Sequence, residues 1–249
     1  MWHRIQTAIE MVYPPRCLGC GDLVTSDFGL CGPCWRDTPF IDGTVCEACG
    51  TPLPGHADGH RIECDACMDA DRPWDNGRAA LLYAGRARRL VLALKHGDRA
   101  ELARPAALWL ARAARPLLRD DMLIAPVPLH WTRLTRRRYN QSALLAQALS
   151  RETGLACCPD LLIRTRRTPM LDGRGTAERS AILADAIRPH PKRRHRLAGR
   201  EILLVDDVMT SGATLTACTC ACHEAGATRV SVLVLARVAK DAQMTLDCR

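Results

Sequence analysis

The sequence predicts an α/β protein, a mostly parallel sheet flanked by helices, preceded by a small cysteine-built module. Three observations carry that expectation. Eight of the 14 cysteines fall between Cys17 and Cys67 as four Cys-x-x-Cys pairs. After residue 75, short apolar runs alternate with stretches of helical periodicity, the pattern of strand–helix–strand units. Charge changes at the same place: residues 1–75 hold 5 Arg and no Lys against 12 acidic groups, while residues 76–249 hold 30 basic groups against 15 acidic. The overall charge of +8 therefore describes neither part. A chain of 249 residues has room for two units, which the sequence divides as 1–75 and 76–249. An apolar fraction of 47% with 25% charged residues is that of a globular protein rather than a disordered one.

Trp2, Ile5, Ile9 and Val12 recur at helical spacing, so residues 2–12 read as a short amphipathic helix stopped by Pro14 and Pro15. Its polar face is not basic, which favours docking on the rest of the protein over a membrane surface. No run of 18 apolar residues is present to cross a bilayer, and the first residues lack the apolar core of a signal peptide. The expectation is a cytoplasmic protein, in which thiols stay reduced and disulfides are rare.

The cysteines then read as metal ligands. A Cys-x-x-Cys turn brings two thiolates to one cation, and two such turns complete the tetrahedral set of a closed structural zinc site. Cys17, Cys20, Cys31 and Cys34 form one ribbon; Cys46, Cys49, Cys64 and Cys67 form a second. A cross-braced arrangement, with the first and third pairs on one metal, is the alternative that the spacing leaves open. Gly21 and Gly50 stand where the first turn of each ribbon closes. His56 and His60 read as exposed loop residues, because the cysteine set is already complete. Metal here replaces a core that the segment is too small to build. Each filled site adds negative charge, which makes the module a poor nucleic-acid surface and a better dock for a protein partner or for the basic domain.

In the second unit Ala79–Tyr83 reads as a strand, and Arg86–Lys95 and Glu101–Leu118 as helices, the latter perturbed by Pro105. Leu123–Pro128 reads as a buried strand and Gln141–Glu152 as a helix. Glu201–Val205 is a second buried strand, Thr214–Ala225 a helix and Val230–Ala236 a third strand. Ligands in such sheets bind at the carboxyl ends of the strands, so chemistry is expected after Val127 and Val205.

The stretch from Ile202 to Thr214 runs strand, acidic pair, small-residue loop, helix. Thr210, Ser211, Gly212, Ala213 and Thr214 are all small or hydroxylated, and they open a helix. Their N–H groups and hydroxyls suit a phosphate monoester. Asp206 and Asp207, just upstream, suit the two hydroxyls of a ribose. Together these features describe a ribose 5-phosphate site.

This stretch resembles the phosphoribosyl pyrophosphate signature of type I phosphoribosyltransferases. Combined with the double zinc ribbon it resembles the ComF family, linked to natural competence and DNA uptake. Leu94-Lys-His-Gly97, Pro126-Val-Pro128 and Arg137-Arg-Tyr-Asn-Gln141 are further family-like features, with Arg138 where the family usually has Gly. Thr168–Arg179 matches another family segment, with Leu171 where the family usually has Gln and, further on, Ile182 where it usually has Asn. The resemblance implies a type I phosphoribosyltransferase fold and a role in nucleotide or nucleic-acid metabolism or DNA uptake. It implies a pyrophosphate loop at Pro128–Thr132, where the N–H groups of Leu129 and His130, with Arg133 and Arg137, would meet a diphosphate and its Mg²⁺. It also implies that Arg164–Arg179 is a hood closing over the substrate, and that Asp206 and Asp207 are catalytic, orienting the sugar ring. The same fold also serves regulators that bind the ligand without turning it over.

Other signals read more plainly. Cys218 and Cys222 share a helix face while Cys220 points away, so with His223 they form no metal cluster and pack as small residues. The adjacent Cys157 and Cys158 carry no partner pattern. The basic loop 189–200, with Lys192 to Arg196, reads as a solvated turn; the alternative is an arm for single-stranded DNA, although it lacks aromatic residues for stacking.

Overall fold

The computed structural model describes residues 14–25, 29–55, 60–70, 72–96, 99–130, 139–166 and 186–239. The helix expected at 2–12 lies outside them, as do His56, Arg133, Arg137 and most of the span 164–179. The elements in chain order are α1 (Gly32–Arg36), α2 (Asp65–Met68), β1 (Asn76–Leu82), α3 (Gly85–His96), α4 (Ala103–Ala114), β2 (Leu123–Pro126) and α5 (Gln141–Thr153). Then follow β3 (Leu162–Arg164), β4 (Ile187–Pro189), β5 (Glu201–Met209), α6 (Ala213–Glu224) and β6 (Arg229–Arg237).

The main sheet is parallel with strand order β1-β6-β5-β2. Its central strands are apolar on both sides because both faces are covered. Leu203, Val205, Leu233 and Leu235 pack with Leu90, Val91 and Leu94 of α3, Leu110 of α4, and Leu145 and Leu149 of α5. Ile202, Leu204, Val230, Val232 and Val234 face the opposite way, onto Leu215, Cys218 and Cys222 of α6 and onto Cys46, Ala48, Cys49 and Cys67 of the second cysteine set. The cysteine module is thus part of the core that covers one sheet face. Among the described residues, no helix is long and apolar enough to cross a membrane.

Several boundaries differ from those expected. β1 begins at Asn76 rather than Ala79, because Asp75 starts the ladder: its N–H donates to Val230 O at 2.8 Å and its carboxylate accepts from Val230 N at 2.9 Å. The helix expected from Glu101 to Leu118 is a 3₁₀ turn at Ala100–Leu102 followed by α4, which ends at Ala114, ahead of Pro116. Pro105 falls in the first turn of α4, where no helical hydrogen bond is lost. β5 runs on to Met209 because β6 pairs with it as far as Met209↔Arg237. The short antiparallel pair β3–β4 was not anticipated.

The edge strand β1 is closed by the cysteine module. Ile41 N donates to Ala80 O at 3.0 Å, Leu82 N to Pro39 O at 2.9 Å and Gly77 N to Glu47 O at 2.8 Å. An exposed strand edge invites pairing with other chains, and this coverage removes that edge. Gly50, at φ +72°, is pressed so closely on the strand that a Cβ there would lie 2.5 Å from Ala79 N. The module's carboxylates also meet the basic domain: Glu47 pairs with Arg78 at 2.7 Å, Asp37 with Arg86 at 2.9 Å and Asp42 with Arg112 at 3.0 Å. Of the two docking partners that the charge asymmetry suggested, the chain's own basic domain takes these contacts.

Candidate functional site

The sulfurs group as Cys17, Cys20, Cys31 and Cys34, and as Cys46, Cys49, Cys64 and Cys67, with the ligand atoms of each set within 4.8 Å of one another. This is the sequential pairing, not the cross-braced one. A tetrahedron with Zn–S bonds of about 2.3 Å has edges of roughly 3.8 Å. Cys20 and Cys31 stand 3.6 Å apart and Cys49 and Cys64 3.7 Å apart, so both sets fit zinc. Backbone N–H groups of Gly19 and Cys31 point at the Cys17 sulfur, at 3.4 and 3.2 Å, as thiolate ligation requires. Burial, then the charge of Cys49, pushes the Cys64 thiol up to about 11. Four thiols this close ionise together only around a cation. His60 is exposed and no histidine joins either set among the described residues.

The second centre lies at the carboxyl end of β5. Asp206 and Asp207 are adjacent at the end of β5, and their carboxylates reach partners on α5 and α3. Asp206 Oδ1 accepts from Ser142 Oγ at 2.7 Å and from Asp207 N at 2.8 Å. Burial, then the neighbouring Asp207 charge, pushes the Asp206 carboxyl up to about 7. Asp207 is buried and pairs through Oδ1 with Lys95 Nζ at 3.1 Å.

Lys95 is held in place from its own backbone. It sits in the last turn of α3, where Tyr139 Oη donates to Leu94 O at 2.9 Å and Gln141 Nε2 to Lys95 O at 3.2 Å. Asn140 caps α5 by accepting from Ser142 N at 3.1 Å and donates to Val127 O at 3.1 Å. The segment Tyr139–Ser142 therefore ties the end of α3, the end of β2 and Asp206 together. Sequence reasoning counted Lys95 within a family-like motif but assigned it no role, and it missed Ser142. The available signal for Lys95 was composition: it is one of three lysines beside 32 arginines.

Beyond Asp207 the chain turns into α6 through Gly212, which has φ +83° and precedes the first helical residue. A side chain there would be strained in this left-handed conformation and would meet Trp74 Cη2 at 2.9 Å. Thr210 is exposed, Ser211 and Thr214 are half-buried, and Gly212 and Ala213 are buried. The first N–H groups of α6 have no intrahelical acceptor, and the helix dipole makes this end attractive to an anion. Ser211 Oγ accepts from Ala213 N at a long 3.5 Å. Leu129 and His130 follow β2; His130 is buried and Leu129 half-buried. Cys218 and Cys222 are buried in the core and Cys220 is exposed, as their spacing implied.

The sheet and this site define the chain's class. The family model for a phosphoribosyl transferase domain matches residues 102–247, and that for a double zinc ribbon domain matches residues 8–68. The chain is 31% identical over 221 residues to DNA utilization protein YhgH of Escherichia coli strain K12, covering 86% of this chain and 93% of that protein. It is 29% identical over 228 residues to Competence protein F of Haemophilus influenzae, covering 89% and 96%. The chain belongs to the ComF family, in which a double zinc ribbon precedes a phosphoribosyltransferase domain. A weaker structural likeness is to the glutamine phosphoribosylpyrophosphate amidotransferase of B. subtilis. Its TM-score is 0.40, with 17% identity over 58% of this chain and 30% of that one, and it assigns no activity.

Proposed function

We propose that the chain binds phosphoribosyl pyrophosphate and acts as a phosphoribosyltransferase in nucleotide or nucleic-acid metabolism tied to DNA uptake. One observation carries this reading: β5 delivers two carboxylates and, five residues beyond Asp207, the Gly212 turn that starts α6. The 5-phosphate sits on Thr210, Ser211, Gly212, Ala213 and Thr214. The ribose hydroxyls meet Asp206 and Asp207. The diphosphate lies against Leu129 and His130, with Arg133 and Arg137 supplied by the segment that follows. Lys95 holds Asp207 in position.

Carboxylates are oxygen donors of the kind Mg²⁺ accepts, and Mg²⁺ bound with the diphosphate would supply charge neutralisation of the leaving group. The protein's own contribution is positioning and charge. The C1–O bond breaks with its electron pair leaving on diphosphate, while a nitrogen nucleophile forms the new bond at C1 and releases its proton. Aspartates beneath the ring offset the positive charge that develops on the sugar. The test is incubation with phosphoribosyl pyrophosphate, Mg²⁺ and a panel of nitrogen acceptors, with pyrophosphate as the readout. Release with one acceptor supports the enzyme. Ligand binding without release from any acceptor leaves a binding protein and overturns the transferase.

A second reading has its own observation. Lys192, Arg193, Arg194 and His195 are exposed on one turn, and two relatives are named for DNA utilization and competence. In this reading the basic turn holds the backbone of single-stranded DNA. Binding would then weaken steeply with salt; a flat salt response removes it.

A further inference from the structure

Two arginines hold carbonyls of the phosphate loop, and one of them, through Trp74, joins it to the second cysteine set. Arg72 Nη1 donates to Ser211 O at 2.7 Å. It lies over the ring of Trp74, 5.4 Å from the centroid. Trp74 is buried; its Nε1 donates to Ala48 O in the ribbon at 2.6 Å, and its far edge abuts Gly212. Buried Arg237 gathers Met209 O, Thr210 O and Val238 O at 3.2, 2.6 and 2.7 Å. Trp74 packs with Cys46, Cys49 and Cys67, so Arg72 and Trp74 together join the second cysteine set to a loop carbonyl.

The consequence follows from peptide geometry. A trans peptide points its C=O and the next N–H in opposite directions. Drawing Thr210 O and Ser211 O toward the arginines turns the N–H groups of Ser211 and Gly212 away from them, as donors for a phosphate. Among the described residues the first cysteine set shows no such link: Arg86 packs by Cys34 and pairs with Asp37.

We propose that Arg72, stacked on Trp74, is a positioning residue through which the Cys46, Cys49, Cys64 and Cys67 site braces the phosphate loop, so that metal retention there and ligand binding are coupled. The proposal rests on the reading of Thr210–Thr214 as the phosphate site. Coupling of this kind is reciprocal: whatever the brace adds to ligand affinity, bound ligand returns to the retention of that metal.

The experiment uses the full zinc-loaded chain and ribose 5-phosphate as probe. Affinity is measured by calorimetry, loop order by amide exchange across 209–216, and zinc loss by transfer to a coloured chelator. Arg72→Ala is expected to weaken ribose 5-phosphate about tenfold or more, the worth of a charge-assisted hydrogen bond, and to speed exchange at 211–214 at unchanged zinc content. Arg72→Lys recovers part of the affinity, and Arg86→Ala leaves it at the wild-type value. Saturating ribose 5-phosphate slows the loss of one of the two zincs and not the other. Wild-type affinity and exchange in Arg72→Ala overturn the proposal, as does ligand that slows both zincs equally or neither. If the wild-type chain binds no ribose 5-phosphate but Arg72→Ala still speeds exchange at 211–214, the brace stands and the phosphate reading fails.

Discussion

Lys95 Nζ stands 3.1 Å from Asp207 Oδ1, joining the last turn of α3 to the acidic pair at the end of β5. Both side chains are mostly buried, with 19% and 12% of their surfaces exposed. An ion pair so enclosed fixes geometry, and removing one partner strands the other charge. Lys95→Met is expected to lower phosphoribosyl pyrophosphate affinity about tenfold or more, measured by calorimetry. Lys95→Arg should not restore it, because a planar guanidinium does not replace a compact ammonium.

Asp206 gives the site a pH dependence of defined sign. In the folded chain it holds its proton up to about 7, against 3.8 for an ordinary aspartate. Between those values the folded state binds more protons than the unfolded one, so stability falls as pH rises through the window. Asp206→Asn should therefore stabilise the chain more at pH 8 than at pH 5 in urea titrations. A ligand whose hydroxyls donate to the carboxylate favours its ionised form, so wild-type affinity should rise from pH 6 to pH 8.

Gly212→Ala places a side chain at φ +83° with Trp74 2.9 Å away. The expected cost is about 1–3 kcal/mol in denaturant unfolding, with ribose 5-phosphate affinity reduced as well. An alanine chain of wild-type stability and affinity would show that the loop is not held in this conformation.

The contacts between the acidic module and the basic domain are unequal. Asp42 and Arg112 are 68% and 66% exposed, so Asp42→Asn should change stability by less than about 0.5 kcal/mol. Arg78 is only 10% exposed and also donates to Glu47 O and Gly77 O, so Glu47→Gln should cost about 1–2 kcal/mol. Denaturant unfolding of the two variants checks the ordering.

Metal analysis should find two zincs per chain. Replacing Cys17, Cys20, Cys31 and Cys34 together by serine should leave one zinc, on the second set. Loss of both metals would mean cross-braced ligation.

Much of this architecture is legible in the sequence, and the exceptions have physical reasons. The four cysteine pairs and the parallel sheet follow from spacing and from apolar runs that alternate with helices, while the choice of sequential over cross-braced pairing needed the sulfur positions. Asp206 and Asp207 look like loop residues, so the sequence ends β5 at Val205, whereas pairing with β6 carries the strand to Met209. β3 is three residues long and pairs with β4 across a 22-residue connection, too little local pattern to read. Lys95 and Ser142 reach the acidic pair from α3 and α5, and Arg72 reaches Ser211 across 139 residues. Such contacts depend on how elements pack. Arg72 and Trp74 lie at the edge of the cysteine module, where the sequence marked only a boundary.

The central claim is a phosphoribosyl pyrophosphate site built on Asp206, Asp207 and the Gly212 turn. Calorimetric titration of phosphoribosyl pyrophosphate with Mg²⁺ into the wild-type chain and into Asp206→Asn/Asp207→Asn tests it most directly. Saturable binding by the wild type, lost in a double variant that keeps its fold and its zinc, is the predicted result. Equal affinity in the two proteins would contradict it.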